Sequence, residues 1–345
     1  MTDRPLAVVV EESRTGQVID ALGEEGVYDA DRRVRAHGEG TTAVPVTAPP
    51  ASVPVLEVVE QVDPAYRTRT LADVLTARGW DEAAIEAAPS SWAVVGSVVV
   101  VRSPADCLDE AELGEALLEL HGGADSVIAV EAIEGRRREP ATRRLAGSGR
   151  TETVHREYGT AYVLDPQRVM FSPGNKAERR RMGEVVSPGE RVFDMFAGVG
   201  YFALPMARAG ATVVAAEVNP TAFGYLVEGA ALNGVTDRLE ATLGDCRAVA
   251  ETIEPVDRVV MGYYGTGDPA DEPDGFLPAA LDTLTAGGTL HYHEATPTGL
   301  LPERPLERLE AAATAAGREL SHDGPRRVKG HAAGVDHVVV DATLS

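Results

Sequence analysis

The chain's 345 residues exceed the roughly 100–200 of one ordinary domain, and a hydrophobic share of 44% marks a globular protein with ample core. No apolar stretch nears the roughly 20 residues that cross a bilayer, the start resembles no secretory leader, and Cys107 and Cys246 have neither disulfide-framework nor metal-site spacing, so a cytoplasmic protein without membrane or metal is expected. The formal charge of -22 would ordinarily argue against a polyanionic partner, but 54 acids and 32 basic residues, of which only Lys176 and Lys329 are lysine, resemble proteins adapted to molar salt; at about 1 M the Debye length is about 3 Å and local contacts decide.

Residues 1–64 carry short apolar runs at 6–10 and 53–59 separated by Gly-, Pro- and Thr-rich stretches such as 41–54, predicting a small β-containing domain and a linker. Residues 65–169 predict an α+β middle domain. Leu71, Val74, Leu75 and Ile85 fall at near-helical spacing over 70–88, the β-branched run 92–101 suits a buried strand, and a helix over 109–120 and a strand over 126–132 follow. At 135–150 the charge reverses: Arg136, Arg137, Arg138, Arg143, Arg144 and Arg150 stand against Glu139 alone, which reads equally as a solvated loop or as a phosphate-contacting one.

From residue 170 to 345 the pattern is that of a doubly wound α/β domain. A strand over 191–194 ends in Asp194, followed by Gly198 and Gly200 and a helix over 201–209. Glycines at a strand-to-helix turn let backbone approach a ligand, and an acid at the strand end can hold a positive group. The next strand, 211–216, ends in Glu217, suited to ribose hydroxyls, which dinucleotide and S-adenosylmethionine sites share. After a helix over 223–232, the strand 239–243 ends in Gly244-Asp245-Cys246; an acid there suits an adenine amino group and favours S-adenosylmethionine. The strand 257–261 opens into Gly262-Tyr263-Tyr264, whose rings either pack the wall or stack on substrate. His291 and His293, two apart on a strand over 288–292 and its end, share a face; substrate contact or packing is expected of them before a metal. Arg326, Arg327, Lys329 and His331 form a basic turn before a strand over 337–340.

From Val154 onward specific motifs accumulate: Tyr158-Gly159, Phe171-Ser172-Pro173-Gly174-Asn175, Glu178-Arg179, the Asp194 to Gly200 turn, Glu217-Val218-Asn219-Pro220 and Asn233. Together they resemble the archaeal family of tRNA guanine-N1 methyltransferases and wybutosine-synthesis enzymes. Within it, Met261-Gly262-Tyr263 in place of Asn-Leu-Pro, with His291-Tyr292-His293 and the run from Ala333 to Asp341, looks like the tRNA aminocarboxypropyl transferase branch. The resemblance implies a class I methyltransferase-like (Rossmann-like) sheet behind smaller N-terminal α+β domains that recognise tRNA. It implies S-adenosylmethionine as co-substrate and phenylalanine tRNA carrying demethylwyosine as partner, with methylthioadenosine released; guanine-N1 methylation of the same tRNA position is the alternative. By matching positions, Ser172, Arg179, Glu217, Asp245 and Cys246 would bind the cofactor and Asp194, Gly198 and Gly200 would line it, with Tyr263 and His293 as candidates for catalysis. A monomer is favoured. The acidic stretch 265–275, with Asp268, Asp271, Glu272 and Asp274, departs from the family pattern.

Overall fold

The computed structural model describes residues 5–61, 64–67, 70–102, 109–264 and 273–345; most of the acidic stretch lies outside them. Packing divides the chain into two compact units, 1–85 and 86–345, so the segment expected as a middle domain is split, most of it falling in one unit with residues 170–345.

In the first unit an antiparallel sheet runs in the order Arg35–Gly38, Thr41–Val46, Leu6–Glu11, Glu57–Glu60. Val18 and Leu22 of the helix Thr15–Glu24 pack against its Val8, Val10, Val44 and Val46. The stretch 41–54, expected only to separate two apolar runs, thus contributes a strand: Thr42 to Val46 are buried despite the proline among them. The expected helix over 70–88 is two helices, Leu71–Ala77 and Glu82–Ala87, broken around Gly79.

The second unit begins with a four-stranded sheet in the order Trp92–Val95, Val98–Arg102, Ser126–Glu134, Glu139–Gly147. The β-branched run expected as one strand is therefore a hairpin turned at Gly96-Ser97. The expected arginine loop is mostly strand: Arg143 and Arg144 pair within Glu139–Gly147, and only Arg136 to Arg138 form the turn ahead of it.

Seven strands form the main sheet, in the order Leu239–Leu243, Thr212–Glu217, Arg191–Asp194, Val256–Met261, Leu284–Pro297, Val335–Leu344, Leu320–Ala332. The first five are mutually parallel and Val335–Leu344 is antiparallel to both its neighbours. The basic segment 326–331, expected as a turn, lies within the edge strand Leu320–Ala332. Chain order reverses between Arg191–Asp194 and Val256–Met261, and an open α/β sheet opens a crevice at the carboxyl ends of strands at such a switch point. Val192, Val213, Ala215, Leu204, Met206 and Leu226 fill one face, and Phe193, Val259, Leu277, Leu281 and Leu290 the other. Two cores, each built on alternate residues of the same strands, leave the strand ends as the place for polar chemistry.

Candidate functional site

The crevice is a cleft enclosing about 1060 Å³ of non-atom space, open solvent included. Its walls come from five places: the strand-end turn around Gly198, Glu217 to Asn219, Gly244 to Cys246, Gly262 to Tyr264, and the segment Val169 to Asn175. Arg136, Arg137 and Arg138 close a sixth side.

Gly198 sits at φ +56°, and a Cβ there would come 2.6 Å from the Tyr201 ring. Its N–H donates to Glu217 at 2.7 Å, while the other Glu217 oxygen accepts from the Asn219 N–H at 2.7 Å. Burial raises the Glu217 carboxyl above the usual range, against the pull of these backbone donors. Asp245 caps the helix Cys246–Ala250 by accepting from the Arg247 N–H at 2.9 Å. Its oxygens also receive the side chains of Arg247 and Arg136. Those bonds, Arg247's first, hold Asp245 well below the ordinary carboxylate range. Cys246 is buried, which pushes its thiol up to about 12 and leaves it an apolar lining group at neutral pH.

Of the residues anticipated for the cofactor, Ser172, Gly198, Glu217, Asp245 and Cys246 line the cleft, and so does Tyr263; Asp194, Gly200, Arg179 and His293 stand behind the wall. Asp194 is fully buried and accepts from the N–H groups of Phe196 at 3.3 Å and Ala203 at 3.1 Å, bracing the glycine turn from beneath; burial lifts its carboxyl to about 7. Gly200 makes room for Leu204 and Leu226, so its work is helix packing. Arg179 is 1% exposed and forms a two-pronged pair with Glu157 at 2.7 and 2.9 Å, its guanidinium 4.7 Å from the Phe171 ring centre. Its third bond, 2.8 Å to the Ser172 carbonyl, makes it a positioning residue for the cleft wall.

Tyr263 stacks on Phe196, with ring centres 5.0 Å apart, and meets the edge of Phe276, so it joins an aromatic wall that still faces the cleft. A side chain at Gly262 would lie 2.7 Å from the Phe202 ring, so the space an asparagine would use there is already filled. His293 is fully buried and shares a 3.0 Å hydrogen bond with His337, whose ring centre lies 4.6 Å from that of the cleft residue Tyr264. Burial takes His293 down to about 3 and His337 to about 2, so both are neutral. His291 bridges Arg258 and Asp341 in a separate buried network. Among the described residues no group of three metal-ligating side chains gathers, and no helix is long and apolar enough to cross a membrane.

Sequence reasoning left three lining features unassigned. Arg138, in the left-handed region at φ 55°, belongs to the cleft rather than to a loop in solvent. Asn219 holds the carbonyl of Arg137 at 3.1 Å, tying the arginine turn to the strand end. Asn175 lines the cleft and is 8% exposed. The charge reversal signalled the first; nothing local in the sequence signalled the roles of the asparagines.

Residues 153–321 match the TRM5/TYW2 methyltransferase domain, and residues 71–151 the TYW2 N-terminal domain. A Methanocaldococcus jannaschii relative named tRNA(Phe) (4-demethylwyosine(37)-C(7)) aminocarboxypropyltransferase is 38% identical over 250 residues, covering 72% of this chain and 95% of the relative. The chain belongs to the TRM5/TYW2 family. A Pyrococcus abyssi member of that family named tRNA (guanine(37)-N(1))-methyltransferase Trm5b is 33% identical over 259 residues, 74% of this chain and 76% of the relative. The solved structure of Pyrococcus horikoshii TYW2 in complex with MeSAdo superposes with a TM-score of 0.65 at 32% identity, covering 79% of this chain and 97% of that one. The TRM5/TYW2 fold thus accounts for the class I sheet expected from the strand-end glycines and acids.

Proposed function

We propose that this chain transfers the 3-amino-3-carboxypropyl group of S-adenosylmethionine to C7 of 4-demethylwyosine beside the anticodon of phenylalanine tRNA, releasing methylthioadenosine. The observation that carries the reading is the aminocarboxypropyltransferase relative aligned over nearly its whole length. Gly262 supports it: the carbonyl-bearing side chain that a ring-nitrogen methyltransferase would present at this strand end is absent, and Phe202 occupies its space.

The cleft fits the co-substrate. Gly198 leaves a cradle that a side chain would fill, Glu217 is suited to ribose hydroxyls, and Asp245, one strand further out, is suited to the adenine amino group. S-adenosylmethionine supplies a sulfonium with three electrophilic carbons; the bond formed is C7 to the γ-carbon, the bond broken is that carbon to sulfur, and C7 gives up its proton. The protein's part is orientation, which chooses among those carbons without a dedicated catalytic group. The wall of Phe196, Tyr263 and Phe276 offers apolar faces to a flipped-out base. Arg138 offers a cation at the cleft for the tRNA side. The departing proton leaves with water at the cleft; burial disfavours protonation of the pair His293 and His337, which packs behind Tyr264. We read the enzyme as a cytoplasmic monomer working in molar salt, in keeping with its acidic composition.

The test is mass spectrometry after incubation at high salt with S-adenosylmethionine and phenylalanine tRNA carrying demethylwyosine. Methylthioadenosine with a matching gain on the tRNA is expected; S-adenosylhomocysteine would transfer the assignment to methylation.

A further inference from the structure

The strands Thr153–Glu157 and Thr160–Leu164 form a hairpin whose last pair is Glu157 and Thr160, so Tyr158 and Gly159 make a two-residue turn. Both have positive φ, 47° for Tyr158 and 79° for Gly159, as in a type I′ turn. The first place of that turn favours Asn, Asp or Gly, and for a bulky side chain such as tyrosine the left-handed region is strained. Packing does not offset the strain, because Tyr158 is 56% exposed.

Cations gather around that ring. Lys176 Nζ lies 5.2 Å and the Arg180 guanidinium carbon 5.1 Å from its centre, one turn apart on the helix Lys176–Val185. Arg208 completes the group, since a Cβ at Gly159 would lie 3.2 Å from one of its guanidinium nitrogens. Tyr158, Arg180 and Arg208 line a notch together with Thr160 and the closed pair Glu157 and Arg179. Its exposed acid, Glu184, is bonded to Arg180 at 2.7 Å. Lys176 and Arg208 are exposed and, among the described residues, have no carboxylate partner; Arg208 reaches the Asn233 amide at 3.5 Å. The patch is therefore positive in a chain of formal charge -22, and it takes one of the two lysines.

An exposed aromatic ring among cations without acid partners is the combination that single-stranded nucleic acid meets, bases stacking on the ring and phosphates lying on the cations. A solvated ion-pair surface needs no strained ring, and an apolar protein partner needs no unpaired charge. Among the described residues the notch and the cofactor cleft share no lining residue, yet Lys176 directly follows the cleft residue Asn175. We infer that Tyr158, Lys176 and Arg208 form a second RNA-contacting site, which holds a nucleotide of the tRNA outside the cleft, with its base on the Tyr158 ring and phosphates at Lys176 and Arg208. The inference rests on the reading that the substrate is a tRNA, whichever group is transferred to it. An anchor outside the cleft fixes the register of the RNA, so that one base reaches the reactive carbon.

The probe is phenylalanine tRNA, bound by the full chain across a salt series. Tyr158→Asn removes the ring and puts at the turn a residue that its backbone favours, so its denaturation midpoint should hold or rise while tRNA affinity falls by about 5–100-fold. The salt slope of that variant should not change, because a stacked base releases no counterions. Lys176→Met combined with Arg208→Met should bind tRNA less tightly and make the slope of log affinity against log salt shallower by about 1–2. Methylthioadenosine affinity should be unchanged in each variant, since the cleft keeps all its lining groups. Unaltered tRNA affinity in Tyr158→Asn, or an unaltered slope in the double variant, overturns the site while the transferase reading stands. Equal losses of tRNA and methylthioadenosine would trace the effect to the cleft wall and overturn it as well. An unsubstituted chain that binds no tRNA sinks both.

Discussion

Two asparagines stand at two helix starts on one cleft, and the protein treats them oppositely. Asn219 accepts from the N–H groups of Thr221 and Ala222 at 2.9 and 3.3 Å and donates to the Arg137 carbonyl at 3.1 Å, so its amide is committed to holding helix Pro220–Asn233 and the arginine turn in place. Asn175 caps nothing, and its Oδ1 is buried without a hydrogen-bond partner among the described residues. Around Asn219, Glu217 and Asp245 are likewise satisfied by the protein's own donors. The wall around Glu217 and Asp245 is thus pre-formed by internal hydrogen bonds, whereas beside Ser172, itself bonded by Arg179 and Lys329, the Asn175 oxygen has no internal donor. Pre-formed walls give rigidity, whereas a buried oxygen without a donor is a cost in stability that the fold carries.

The largest effect that would break this contrast comes from removing the foundation of the wall around Ser172. Glu157 and Arg179 are both buried and bonded in parallel, and Arg179 carries Ser172. Arg179→Met or Glu157→Gln strands a buried charge or half a pair, for which about 3–5 kcal/mol of lost stability is expected. Denaturant unfolding near neutral pH measures it. For Glu157, burial alone would raise the carboxyl, but the bonds from His155 and Arg179 outweigh that and hold it at about 2, below its ordinary 4.5. A depressed carboxylate contributes stability that is complete above about 4.5 and lost as pH falls toward about 2. Glu157→Gln should therefore flatten the acid limb of the stability profile. An unchanged acid limb would place the acid sensitivity elsewhere.

Next in size is Gly198→Ala. The left-handed φ of +56° is disfavoured for alanine by roughly 1–2 kcal/mol. The new methyl would also meet the Tyr201 ring, which lines the cleft and whose hydroxyl donates to the Met170 carbonyl. Stability should fall by at least that strain and affinity for methylthioadenosine should fall with it, since the ring must move into the cleft. Full affinity would show that Tyr201 yields in another direction.

How far the site could be read in advance follows from the same contrast. Gly198, Glu217 and Asp245 were legible as cleft-lining residues because they lie at or just beyond the ends of parallel strands, and a strand end at the switch point is a position in sequence as much as in space. The motif Glu178-Arg179 sits on a helix, where adjacent residues face different partners, so Arg179 turns to Glu157 and Glu178 to Arg326 at 2.7 and 2.8 Å and neither lines the cleft. His293 was placed on the right strand, but its partner His337 lies 44 residues away in sequence and shares no local pattern with it. The hairpin at Gly96 hid inside valines that read as one strand, because apolar content does not report where a buried run turns back. Asn175 was visible as part of Ser172-Pro173-Gly174-Asn175, but whether an asparagine at a helix start caps or stays without a partner is decided by one side-chain rotation.

That rotation gives the smallest predicted effect. Asn219→Ala removes a cap, and about 0.5–2 kcal/mol of stability should go with it. Asn175→Ala removes no bond that the protein makes for itself and deletes a buried unpaired oxygen, so stability should stay within about 0.5 kcal/mol of the unsubstituted chain. Chemical denaturation of the two variants side by side reads the difference directly. If Asn175→Ala proved as destabilising as Asn219→Ala, Asn175 would be a cap in solution and the contrast would fail. A neutral Asn175→Ala would show that one helix start is held by its asparagine and the other is built without it.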